Sequence, residues 1–329
     1  MSLFFGSQTA KKSIVIVGGD LLIGYFTTLE FLKLKDDGVV STVRVGYMDE
    51  KSELVKDLSQ KGVHMMRFDL NDDKSIEKMY DQMECAMIMP PMMAKDMHHS
   101  KKLVQMAKHS KDLRHVLFAS IMNAHKAKDM DCIKHIYEME QEFMALAHKS
   151  HWETTYLFSI SMLMNILFYL RGPIRDREEL MWPTKSEKAS LVDAMDVAKA
   201  IRNLATKSHH HHHHHHSDAA TTPGIERFSH FHITGMHAIS GEKLAMMCSH
   251  ALGSKIMLKE CSANEMAHYL GDTGEIAKGF IPVLRRIFEM AMKGYFNETH
   301  SDLEKLLDKK PVDIEAYFEK YHKDFKPQH

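Results

Sequence analysis

The stretch SIVIVGGDLLIGYFTTLEFL, residues 13–32, decides the fold. SIVIVG is an apolar run of strand length with no polar alternation, as expected of a strand buried on both faces. Gly18 and Gly19 break it, and from about Tyr25 to Lys35 the apolar positions recur at helical spacing. A strand, a glycine turn and a helix form the local frame of a dinucleotide phosphate loop. There the first glycine makes the turn, the second lets backbone approach a pyrophosphate, and the third lets the helix pack on the strand. Gly18 and Gly24 occupy the first and third places, and Leu21 occupies the second. The glycines that serve folding are kept. The one that serves a ligand carries a branched side chain. Gly18, Gly19 and Gly24 therefore read first as shaping a strand–helix turn, with cofactor binding as the competing reading.

The same alternation continues outward. STVRVGYM precedes a helix around 50–60, VHMMRFDL one around 73–83, CAMIMP one around 95–109, and RHVLFASI one around 131–149; TTYLFSIS follows. Repeated strand–helix units predict an α/β fold with a doubly wound parallel sheet, Rossmann-like, and helices on both faces. The expected organisation is a Rossmann-like domain over 1–205, a His-rich loop over 206–227, and a last strand with a smaller, mostly helical C-terminal lobe over 228–329, packing on the same domain. In SGEKLAMMCSHALG, Ser240 is the expected N-cap and Gly253 the C-terminal stop. RFSHFHITG reads as one more strand, 281–293 as a long helix, and VDIEAYFEKYHKDF as the closing helical segment.

Composition narrows the function classes. With 43 Lys+Arg against 44 Asp+Glu, no basic excess points to nucleic acid. No apolar run is long enough for a membrane span, and MSLFFGSQTAKK lacks the features of a signal peptide. The cytoplasm is the default address, with an acidic vacuole as the alternative. Cys85, Cys132, Cys248 and Cys261 lie far apart and form no CxxC, so they read as buried or idle thiols, with an intermolecular bridge as the other reading. The 25 His and 27 Met are unusual. Eight His form the run His209–His216, native or an engineered tag. His98–His99, His230-x-His232 and Cys248-x-His250 lack the two-pair spacing of a structural zinc site, so no metal is expected. The Met-rich pieces MIMPPMM and SMLMN read as adaptable core. Protonating every His would take the formal net charge from −1 to +24, within the range where imidazole titrates.

The chain resembles the NmrA-like family of atypical short-chain dehydrogenases/reductases, which includes NAD(P)-binding regulators and quinone reductases. VIVGGDLLIG stands where that family has its G-x-x-G-x-x-G loop. KGVHMMRFDLNDDKSI is similar to its third strand, TTYLFSISMLMN to its sixth strand ending in an asparagine (Asn165), and LVDAMDVAKAI to its Asp-x-Ala segment (Asp196–Ala198). FHITGMHAISGEKLA and DKKPVDIEAYF are similar to its C-terminal pattern. The resemblance implies cofactor contacts at Gly18, Gly24 and Asp69, the last near an adenine; Asp69 reads equally as capping the turn through Asn71–Asp73. Ser120 ends the fifth strand. The departures are Leu21, and Met48 where many members hold an arginine for a 2′-phosphate. Asp49 follows and could contact a ribose, but it reads better as a charge at a helix N-terminus. Where enzymatic members carry a lysine this chain has Glu140, and no lysine occurs between His135 and His148. Tyr137 is followed four residues later by Gln141, so the short-chain enzymes' Tyr-x-x-x-Lys pair is missing.

Glu140 also lies inside a helical apolar stripe of Ile133, Ile136, Tyr137, Phe143, Met144 and Ala147. An inward carboxylate there should have a raised pKa unless paired. It reads as a polar spot or structural ion pair before it reads as a catalytic acid. The expectation is a non-catalytic, degenerate member with no functioning catalytic residue. Only vestigial NAD(P) binding is expected, or no cofactor at all. Such a protein would act through self-assembly or binding of another protein in a lattice, storage or scaffold role, with pH response through its histidines. The alternatives are an NAD(P)-binding redox-sensing regulator and an NAD(P)H-dependent oxidoreductase of the quinone reductase type.

Overall fold

A computed structural model describes residues 12–206 and 228–328. The His209–His216 run and most of the N-terminal segment read above lie outside the described residues. Strand β1 (Lys12–Val17) leads through the glycine turn into helix α1 (Leu22–Asp36). The unit repeats as β2 (Val40–Tyr47) and α2 (Glu53–Ser59), β3 (His64–Arg67) and α3 (Asp73–Tyr80), β4 (Cys85–Ile88) and α4 (Lys101–His109), and β5 (His115–Ile121) and α5 (Ile133–Lys149); β6 (Thr154–Ile160) follows. Helix α2 starts later than the periodicity suggests because the Ser52 hydroxyl accepts from the Val55 amide and caps it there.

After β6 come β7 (Met162–Leu163), α6 (Arg171–Arg177), β8 (Glu179–Trp182), β9 (Lys188–Val192) and α7 (Ala194–Thr206). Beyond the undescribed segment lie β10 (Phe228–Ile233), β11 (Ala238–Ser240), α8 (Gly241–Leu252), β12 (Met257–Glu260), α9 (Ala263–Asp272), α10 (Ile281–Met292), α11 (Asp302–Leu307), α12 (Ile314–Lys320) and α13 (His322–Phe325). The main sheet has seven strands in the order β10-β6-β5-β4-β1-β2-β3, with every neighbouring pair parallel. The order reverses between β1 and β4, so a crevice opens there at the strands' C-terminal ends.

The doubly wound fold with a helical C-terminal portion is thus as the sequence predicts. One face of the sheet packs Phe31, Val197 and Ile201 of α1 and α7; the other packs Ile76, Val104 and Phe143 of α3, α4 and α5. A third core joins Leu180 and Trp182 to Leu244, Phe288 and Phe318, so the helical lobe is assembled from chain on both sides of the His-rich segment. The short strands β7, β8, β9, β11 and β12, of two to five residues each, are absent from the sequence reading. Ser240 caps α8 by accepting from the Lys243 amide, and Gly253 ends it at φ +66°, both as expected. All four cysteines are buried, and none forms a disulfide among the described residues.

Candidate functional site

The glycines of the first loop are fully used by the fold. Gly18 adopts φ +112°, a conformation that favours glycine, and its amide donates to the Gly46 carbonyl at 2.9 Å. A Cβ on Gly24 would stand 2.0 Å from the Gly18 carbonyl oxygen, and one on Gly19 would stand 2.2 Å from Val45 Cγ1. Helix α1 therefore sits directly on the end of β1, as the spacing of Gly18 and Gly24 predicts. Leu21 is the N-cap of α1 and makes no side-chain capping bond. Its Cδ1 lies 3.5 Å from where a Gly18 Cβ would be, so the isobutyl group folds back over the loop.

Asp20, which the sequence reading passed over, completes this loop. Its Oδ2 accepts from the Met48 amide at 3.3 Å and the Asp49 amide at 3.1 Å. These amides follow β2, where an adenosine ribose and its 2′-phosphate would lie in the fold family. Burial is the largest influence on the Asp20 carboxyl and raises its pKa; the two amides oppose this, and neighbouring Asp49 adds to it. The signal was legible: Asp20 is the one charged residue in residues 13–24.

Around this loop lies a narrow crevice of about 60 Å³. Val17, Met48, Phe68, Met89 and Leu103 form apolar walls, and Phe280 closes it from the C-terminal lobe. Pro90 and Pro91, which follow β4, line it without an amide hydrogen to offer. No Lys, Arg or His is among the described lining residues. A dinucleotide brings two phosphates and needs donors and positive potential. The described lining residues supply a carboxylate, a leucine and two prolines and no cation, which leaves the uncapped amides at the start of α1 to meet a phosphate.

The other sequence-predicted positions fall in three places. Met48 lines the crevice, and Asp49, which neither begins nor caps α2, accepts at Oδ1 from the Lys51 amide. Asp69 is exposed and its Oδ1 accepts from the Asn71 amide at 2.8 Å, while Ser75 bonds both the Asp69 amide and carbonyl. This is the turn-capping reading. Glu140 projects from α5 to the end of β5, where the Ser120 hydroxyl donates to its Oε2 at 2.7 Å. Burial raises its pKa and the Ser120 bond opposes that. No ion pair reaches Glu140 among the described residues. A partly buried carboxyl beside a serine can hold or release a proton.

Two family-like segments meet through hydrogen bonds. Asn165 Oδ1 accepts from the Ala194 amide at 2.9 Å, fixing the start of α7, and Asp196 Oδ2 accepts from the Val312 amide at 2.7 Å. The similarity at Asp196 and in DKKPVDIEAYF thus marks one structural junction. Among the described residues, no group of three or more His, Cys, Asp or Glu is placed to hold a metal ion.

The NmrA-like family model matches residues 10–226, and the chain belongs to the NmrA-like family. No curated protein matches the sequence. Among solved structures, Citrobacter sp. triphenylmethane reductase complexed with NADP(H) is 14% identical with a TM-score of 0.71, covering 94% of this chain and 99% of that one. The NADPH-dependent quinone oxidoreductase QOR2 of Escherichia coli, complexed with NADPH, is also 14% identical with a TM-score of 0.70 and the same coverage. NmrA, a negative transcriptional regulator in complex with NAD, is 14% identical with a TM-score of 0.66, covering 96% of each chain. At these identities the likeness concerns the fold.

Proposed function

We propose that this NmrA-like protein is a non-catalytic member that works by association, with itself or with another protein, and that its histidines tune the association to pH. One observation supports the non-catalytic half: Asp20 Oδ2 takes the Met48 and Asp49 amides while Leu21 folds back over the glycine loop. The Glu140–Ser120 pair, standing where proton chemistry would need a lysine, adds to it. The association half rests on the histidine content and on a formal net charge near zero at neutral pH, which lowers the barrier to close packing. An acidic vacuole is the compartment where such a response would matter most; in the cytoplasm the protein would stay in its neutral-pH form. The bound NADP(H), NADPH and NAD of the structural neighbours favour the alternatives, an NAD(P)-sensing regulator or an NAD(P)H-dependent oxidoreductase.

Calorimetric titration with NADH and NADPH tests the reading. Binding should be much weaker than about 10 μM, or about −7 kcal/mol. Leu21→Gly alone should recover little, because Asp20 still holds the Met48 and Asp49 amides. Binding tighter than that, or NADPH turnover with a simple quinone, would return the protein to the alternatives.

A further inference from the structure

A crevice lined by two carboxylates and, among the described residues, by no cation is suited to positive charge. Asp20 and Asp49 are the charged residues among those lining it, and its walls are otherwise apolar or proline. The hydrogen bonds that Asp20 receives from other residues both run to Oδ2 and are long, at 3.1 and 3.3 Å, so the carboxylate retains capacity for a ligand N–H. No ion pair reaches either aspartate among the described residues. Asp20, whose pKa is raised by burial, and the more exposed Asp49 give the crevice a negative lining with no cation among the described lining residues.

The walls match a hydrocarbon-bearing cation. Phe68 and Phe280 supply aromatic faces, which attract ammonium groups. Met48, Met89, Met92 and Met93 supply thioethers that adjust to a ligand's shape. Met93 rests against Gly279, where a Cβ would come within 2.6 Å of Met93 Cε, so the C-terminal lobe closes directly over the crevice. A ligand held here would touch both the sheet end and the lobe.

We propose that this crevice binds a small apolar ammonium ion, a primary amine carrying one aryl or branched alkyl group, with its charge on Asp20 and Asp49 and its hydrocarbon against Met48, Met89, Phe68 and Phe280. This rests on the reading that no dinucleotide takes the site. The probes are 2-phenylethylammonium, its neutral analogue 2-phenylethanol and the anion 3-phenylpropanoate, each titrated calorimetrically into the full chain at pH 7. NADH is titrated separately, so that failure of the cofactor reading is scored apart from failure of this one.

The ammonium should bind about tenfold or more tighter than the alcohol, the scale of one charge-assisted contact. The anion should give no measurable heat. Asp20→Asn keeps an acceptor for the Met48 and Asp49 amides and should bring the ammonium down to the alcohol's affinity. Asp49→Asn should produce a smaller loss in the same direction, and Asp112→Asn, on an exposed loop, no change. Ammonium affinity should also fall as acid protonates Asp20. Equal affinities for ammonium and alcohol, an unaffected Asp20→Asn variant, or no heat from any of the three probes would overturn the proposal.

Discussion

At the scale of single residues, two carboxylates define what the site has become. Asp20 occupies the amides after β2, and Glu140 faces Ser120 at the end of β5. Burial raises the Glu140 pKa above that of the unfolded chain. The folded state therefore binds its proton more tightly, and the group opposes folding as pH rises through the interval between the two values. Glu140→Gln retains an acceptor for the Ser120 hydroxyl and removes the buried charge. The variant should gain thermal stability at pH 7.5 and gain less at pH 4.5, as followed by circular dichroism. In an NADPH–quinone assay neither form should turn over; activity in the native chain lost in the variant would reveal a working acid.

At the scale of elements, contacts rather than propensities decide two places. The approach of α1 to β1 admits only glycine at position 24, because a Cβ would sit 2.0 Å from the Gly18 carbonyl oxygen. Gly24→Ala should therefore destabilise by about 3 kcal/mol in urea unfolding, the upper end for overpacking. At one edge of the sheet, β10 contributes two imidazoles to a column that His300 extends. The rings of His230 and His232 lie 4.2 Å apart, and those of His232 and His300 lie 4.4 Å apart. Ser159 bonds His230, the Asp302 carboxylate accepts from the His232 amide, and Glu298 stands 3.5 Å from His300. Burial first, then the neighbouring His232, hold His230 down at about 4, although Asp302 opposes them; burial and His300 likewise lower His232.

A base whose pKa is lowered by folding contributes its full stability above the unfolded value near 6.5, and loses it as pH falls toward the folded value. For His230 that window runs from about 6.5 to about 4. Amide exchange in β10, corrected for intrinsic rates, should be faster at pH 5 than at pH 7.5. His230→Gln should remove part of that acid sensitivity.

At the scale of the whole molecule, net charge changes sign with pH. The chain is near neutrality at pH 7 and becomes strongly positive as its histidines ionise. Self-association should therefore depend on pH between about 5 and 7.5, loosening in acid as like charges repel. Sedimentation on a chain lacking His209–His216 is the measurement, and one unchanged species from pH 5 to 8 would remove assembly as the reason for the histidine content. Reductant should leave the profile unchanged, because all four cysteines are buried and form no disulfide among the described residues.

The sequence by itself determined the doubly wound parallel fold and the glycine spacing of the first loop. Buried parallel strands are written as unbroken apolar runs, and a close strand–helix approach is written as Gly18 and Gly24. It also determined that Glu140 faces inward, because a helical stripe fixes direction. It left Asp69 open between turn and ligand, since both uses ask for the same carboxylate at the same place; the structure adds the turn's hydrogen bond from the Asn71 amide. The tertiary structure alone decided what Asp20 does, because its partners lie 28 and 29 residues away, after another strand. It likewise brought Asp196 to Val312, stacked His300 on His232, and placed Phe280 over the crevice. Each joins residues distant in the chain through contacts that no local period encodes. The family frame was therefore readable from local pattern, and the chemistry of the crevice only from the fold.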